Sequence, residues 1–204
     1  MRGPTLALLA LAAIASCKSD EQPKGGNPKP ADGGGAKTQK GGMVRIPSNE
    51  PKYLNPILES RFVPANDLIF EGLVGMDAKG EPVPRLATSW EISPDGKTIT
   101  FKLRDNVRWH DGEKFTSADV AFTLEAIRAT SAATVWKAYM APVTQLSTPD
   151  DRTVVVKYAD AYAPALVTWT VGILPKHRFG GPDDLSTAQA NTEPVGTGPV
   201  KYTR

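Results

Sequence analysis

Two stretches of alternating polarity stand nearly back to back near the middle of the chain. Across 89–93, Trp90 and Ile92 share one face, and across 98–104, Ile99, Phe101 and Leu103 do the same, which is the period of a half-buried strand. Between them lies Ser93-Pro94-Asp95-Gly96-Lys97. Proline presets φ, aspartate can bond its own turn backbone and glycine accepts positive φ, so this spacing predicts a hairpin. After Trp109-His110-Asp111-Gly112, Thr116 is placed to cap a helix and Asp119 to reciprocate three residues on, while Val120, Leu124 and Ile127 recur at helical spacing. One amphipathic helix is therefore expected to cover one face of the sheet.

The same design returns further on. Residues 143–147 and 153–158 read as strands around Thr148-Pro149-Asp150-Asp151-Arg152, with Val154, Val156 and Tyr158 on one face. Weaker patterns fill the remainder. A short strand is expected at 43–46, a short buried helix from Asn66 ending within 72–75, and a loop or broken helix over 129–141. Pro164 suits the first turn of a helix running towards Trp169. Loops then lead through Gly196-Thr197-Gly198-Pro199 to the start of a strand at 200–202. The fold class read from these elements is α+β.

The N-terminus changes the picture. A single early cation, Arg2, precedes the apolar run 6–14 and then Ala15-Ser16-Cys17. That run is too short to span a bilayer and sits where a secretory signal belongs. Ile14-Ala15-Ser16-Cys17 resembles a lipobox, the sequence cut before a cysteine that receives lipid, and Cys17 is the only cysteine in the chain. Residues 1–16 are thus read as a lipoprotein signal peptide and 17–42 as a lipidated cysteine with a tether. Residues 18–42 hold no Val, Ile, Leu, Met or aromatic side chain, so they cannot bury enough apolar surface to offset their ordering entropy. Gly33-Gly34-Gly35 is linker, because no strand precedes it and no helix follows.

Charge and chemistry exclude more than they select. The net charge is +2, from 24 basic and 22 acidic residues spread along 204, and no basic stripe points to nucleic acid. A lone cysteine excludes a disulfide framework and the multi-cysteine zinc sites. His110 and His177 are the only histidines; neither has a second ligand at useful spacing or a nucleophile nearby, and both read as structural. Nucleophile elbows, metalloprotease helices and phosphate loops are absent. Neither an enzyme nor a cofactor is expected. Asp105, Asp111 and Glu113 with Arg104, Arg108 and Lys114 read as charge pairs on a solvated rim.

One long run carries a resemblance. Residues 86–125, LATSWEISPDGKTITFKLRDNVRWHDGEKFTSADVAFTLE, together with Tyr53-Leu54-Asn55-Pro56, Phe70-Glu71-Gly72-Leu73, Ile173-Leu174-Pro175-Lys176-His177 and Pro194-Val195-Gly196-Thr197-Gly198-Pro199 in that order, are similar to the bacterial extracellular solute-binding proteins of family 5. Those are the dipeptide and oligopeptide receptors of ABC importers. Ser117 stands where alanine is commoner in the family. The resemblance implies a two-lobed, type II periplasmic-binding-protein-like receptor, of which this chain holds the N-terminal portion. On that pattern 43–61 and 172–204 are segments of the first lobe, 62–171 is an inserted β-rich α+β domain, and the second lobe lies outside the 204 residues.

By the same resemblance Ser60, Arg61 and Phe62 line the ligand cleft after the Asn55-Pro56 loop, and Trp169, Thr170 and Val171 do so at the return crossing. Ordinary loop packing is the competing reading for each, and Phe62 and Trp169 equally suit a hinge-region core. The implied function is capture of peptides outside the cytoplasmic membrane, with the peptide, the ABC permease subunits and the lipid membrane, through acylated Cys17, as partners. A repurposed surface lipoprotein acting as adhesin or sensor is the alternative. Relatives that bind nickel complexes, sugars or opines keep the ligand class open.

Overall fold

A computed structural model describes residues 51–59 and 64–203, which lie within one compact unit, Arg45–Arg204. The expected strand at 43–46, the signal segment, Cys17 and the tether fall outside the described residues.

The first hairpin forms as its turn chemistry dictates. Strands β3 (Ala87–Ile92) and β4 (Thr98–Leu103) pair antiparallel, Trp90 facing Phe101 and Ile92 facing Ile99. Gly96 sits at φ +68° and donates its N–H to Ser93 O at 2.8 Å, while Asp95 Oδ1 accepts from Lys97 N at 3.0 Å. The second hairpin joins β5 (Val143–Asp150) to β6 (Thr153–Tyr158). Here β5 runs through Thr148 and Pro149, which the sequence pattern assigns to the turn. The pairing register slips between Ser147 and Asp150, and proline is tolerated there because β5 is an edge strand. The four-stranded sheet has the order β3-β4-β6-β5.

On one face of that sheet Ile99, Phe101, Leu103, Val154, Val156 and Tyr158 are buried. Helix α2 (Ser117–Ala129) packs against β5 and β6, burying Val120, Leu124 and Ile127. Asp119 Oδ2 accepts from Thr116 N at 2.9 Å, the reciprocal half of the cap. Its other oxygen accepts from Lys176 N at 3.0 Å. One turn on, Thr123 Oγ1 donates to Asp119 O at 2.8 Å and accepts from Leu174 N at 3.0 Å. Helix α2 therefore fixes the returning chain at 174–176 as well as covering the sheet.

Elsewhere the elements are shorter than the sequence pattern suggests. Helix α1 (Pro64–Ile69) stops before Gly72, and Val74 opens strand β1 (Val74–Met76), which pairs with β2 (Pro82–Pro84). A long-range bond decides this: Val74 N donates to Trp169 O at 3.2 Å, which draws the backbone out of helical geometry. The broken-helix segment yields helix α3 (Val135–Met140). Helix α4 (Ala165–Thr168) follows Pro164 as expected. Residues 200–202 join no strand, although Val200 N bonds Leu68 O at 3.1 Å. Short 3₁₀ turns at Lys176–Arg178, Pro182–Ser186 and Gln189–Asn191 complete the described chain.

Candidate functional site

The site is built where the 53–58 loop meets the returning chain. Asn55 is its anchor, 1% exposed. Its Oδ1 accepts from Ile57 N at 2.8 Å and Leu58 N at 3.3 Å, so the side chain shapes its own turn. Its Nδ2 donates to Asn191 Oδ1 at 2.8 Å, and Asn191 Nδ2 donates onward to Leu185 O at 2.7 Å. The backbone adds Leu54 N to Asn191 O at 2.9 Å. Every amide in this buried chain has a partner, the condition under which a buried polar group stabilises rather than costs.

Two further contacts seat the loop. Gly172 lets Pro56 and Phe70 close in, since a Cβ there would stand 2.8 Å from Phe70 Cβ and 2.9 Å from Pro56 Cγ. Trp136 of α3 donates its Nε1–H to Pro56 O at 3.0 Å. Its ring lies 5.9 Å from that of Tyr139. Tyr139 is 46% exposed and Val135 54%, whereas Met140 on the same helix turns inward. An apolar, partly aromatic face is thereby presented beside the loop that leads towards residue 60. The sequence pattern predicts only a loop or broken helix for this segment. Its signal is a tryptophan and a tyrosine three residues apart, one helical face, in a run of small residues.

The cleft residues expected from the sequence separate. Ser60, Arg61 and Phe62 lie outside the described residues. Trp169 is fully buried, edge-on to Phe101 at 5.8 Å, with its Nε1–H bonded to Tyr158 Oη at 3.0 Å. Burial pushes the Tyr158 hydroxyl above the usual tyrosine range. Val171 is also fully buried. Thr170 alone of the three reaches an opening, a groove of about 460 Å³ bordered by Glu71, Gly72, Met76 and Arg85, with its hydroxyl donating to Val167 O at 2.8 Å.

Both histidines are built into the architecture. His110 N donates to Gly196 O at 2.9 Å, its Nδ1 accepts from Gly196 N at 3.3 Å, and its Nε2 lies 2.7 Å from Gly198 O. Only the tautomer with hydrogen on Nε2 satisfies all three. His177 Nε2 meets Asp111 Oδ2 at 2.7 Å. Burial works against the charge on Asp111, but the His177 ring and the Glu113 N–H outweigh it and hold that carboxyl below its ordinary value. At Asp119 burial wins and raises the carboxyl above its ordinary value, against the bonds from Thr116 N and Lys176 N. The Trp109 Nε1–H adds a weak pull without reaching hydrogen-bond geometry. Among the described residues no group of three or more His, Cys, Asp or Glu side chains is placed to hold a metal, and no helix is long and apolar enough to cross a membrane.

Known proteins share this fold. The chain is 42% identical over 140 residues to a Brucella ovis protein named for peptide binding by an ABC transporter, a match covering 66% of this chain and 26% of that one. The structure of NikZ from Campylobacter jejuni, in complex with Ni(L-His), superposes with a TM-score of 0.67 at 32% identity, covering 76% of this chain and 32% of that chain. DppA from Helicobacter pylori, in complex with the peptide STSA, superposes at 0.64 with 27% identity, covering 76% of this chain and 35% of that one. The chain thus spans about a quarter to a third of the length of the relatives it matches. The model of bacterial extracellular solute-binding proteins, family 5 Middle, matches residues 81–204, and with both hairpins and the capped helix in place, the chain belongs to that family.

Proposed function

We propose that these residues form one wall of a two-lobed peptide receptor serving an ABC importer outside the cytoplasmic membrane, and that it captures its ligand without covalent chemistry. The observation that carries this reading is the exposed Val135–Tyr139 face beside the Asn55 loop. Such a surface on one side of a cleft suits a ligand whose backbone is held by main-chain groups and whose side chains meet apolar walls. The 42% identity to a protein named for peptide binding favours peptides as the ligand class. Ser60, Arg61 and Phe62 follow the anchored loop directly, and Thr170 stands at the crossing. The Asn55–Asn191 bond supports grouping 43–61 with 172–204 as one lobe, with 62–171 inserted between them.

A ligand held in a closed cleft loses most of its surface to the protein, whereas a single wall leaves it wet. Calorimetric titration with a mixed library of di- to pentapeptides is expected to show no tight binding by these 204 residues. A receptor that carries them as its first lobe and also has the second is expected to bind at about 1 μM, roughly 8 kcal/mol. Micromolar binding by the 204 residues alone would overturn the two-lobed mechanism.

We also propose that Cys17 carries the lipid that keeps the receptor at a membrane surface. A single acyl chain anchors only marginally, so the cysteine must be multiply acylated. Metabolic labelling with a fatty-acid analogue is expected to mark the protein and to leave Cys17→Ser unmarked; equal labelling of both would refute the anchor.

A further inference from the structure

The Trp109 loop closes a further small hairpin that places like charges against each other. Arg108 and Lys114 form an antiparallel bridge, flanked by the bonds Phe115 N to Val107 O at 3.1 Å and Trp109 N to Glu113 O at 2.9 Å. Directly opposed side chains in such a bridge stand close together, and like charges there repel. The neighbourhood adds to the imbalance. A cavity of about 90 Å³ opens beside the bridge, lined by Arg104, Arg108, Lys114 and Arg152 against only Asp105 and Asp151. Of those cations, Arg152 is already paired with Asp105. Arg104 spends its Nε–H on Arg85 O, and Arg108 gives one Nη1–H to Gly112 O at 2.8 Å, so each keeps further donors. The Lys114 ammonium has no partner among the described residues.

The floor of the cavity is firm. Phe115 is 7% exposed and packs edge-on to Trp109 at 5.9 Å. At the nearby helix terminus Ser117 N is taken by Asp151 O at 2.9 Å and Asp119 N by Thr116 O at 3.1 Å, so neither is offered to the cavity. What remains is a small cup with two forked guanidinium groups and one free ammonium over a buried Phe115, at a scale of a few water molecules. An oxyanion with several acceptor oxygens relieves the Arg108–Lys114 repulsion and uses these donors together.

We propose that this cavity binds a phosphoryl-type oxyanion through Arg104, Arg108 and Lys114. The same chemistry is offered by inorganic phosphate and by the headgroup of an anionic phospholipid, and two measurements on the whole chain separate them. One is calorimetric titration with inorganic phosphate at low ionic strength, where exposed charges are least screened. The other is co-sedimentation with vesicles of phosphatidylglycerol and of phosphatidylcholine. Arg108→Ala and Lys114→Gln are each expected to lower the relevant affinity by about tenfold, as loss of a charge-assisted bond implies. Lys79→Ala, a charge removed from a distant exposed turn, is expected to change nothing. Every protein compared has the same N-terminus, so anchoring cancels. Saturable phosphate binding that the two variants weaken assigns the site to a free anion. Selective binding to phosphatidylglycerol, weakened in the same way, assigns it to a headgroup. Absence of binding in both arms, or binding equal in variants that keep wild-type thermal unfolding, would overturn the proposal.

Discussion

Trp169→Ala is expected to lower the stability of the chain by about 3–5 kcal/mol, the range found when a large aromatic is deleted from a packed core. The side chain is completely buried, meets Phe101 edge-on at 5.8 Å and bonds Tyr158 Oη at 3.0 Å. Alanine therefore leaves a void beside Phe101 and strips the Tyr158 hydroxyl of its donor. Trp169→Phe separates the two contributions. It keeps most of the volume and loses the hydrogen bond, so about 1 kcal/mol beyond the volume change is expected from that bond. Denaturant unfolding followed by circular dichroism measures both. A Trp169→Ala midpoint within error of wild type would mean that this ring faces the cleft after all, as the resemblance first implied.

Gly196→Ala is the second large effect, about 3 kcal/mol from overpacking together with broken hydrogen bonds. A Cβ at Gly196 would stand 1.8 Å from Ile69 O and 2.6 Å from Ile69 C, which are backbone atoms unable to step aside. Relief requires the 196–198 turn to back away from α1. Moving it breaks both His110 bonds to Gly196 and pulls on Gly198 N, which donates to Ile69 O at 2.8 Å. Gly181→Ala is the matched control, since a Cβ there meets nothing within 4 Å. Equal unfolding midpoints for the two alanine variants would show that the turn is not clamped against α1.

The legible parts of this fold are those whose causes lie within a few residues. Pro94, Asp95 and Gly96 specify their turn wherever the chain goes, and the Thr116–Asp119 cap needs only its own helix. The parts read less well owe their form to distant partners. Residues 74–76 become a strand because of Trp169 O and the Val74–Pro84 pairing, and no window around Val74 contains that fact. Pro149 extends β5 because an edge leaves its missing N–H unneeded, and edge position is a property of the sheet. The candidate site divides in the same way. Asn55 and Pro56 were marked by the family motif, whereas the exposure of Val135 and Tyr139 depends on what α3 packs against. The resemblance implies a cleft position for Trp169 and Val171, whereas both side chains are fully buried, because the orientation of a side chain is decided by the core behind it.

The Asn55–Asn191 bond joins residues 136 positions apart. In an unfolded chain the entropy of closing a loop rises with the logarithm of its length, so a pair this remote gains nothing until the intervening chain is already compact. The hairpins, closed by turns of a few residues, and the capped helix gather first on the fast local timescale. A chain that emerges N-terminus first then leaves the apolar Ile57 and its loop without the Asn191 partner until the intervening residues have been made. The Asn55 loop is thus fixed in place later than the hairpins that follow it in the chain.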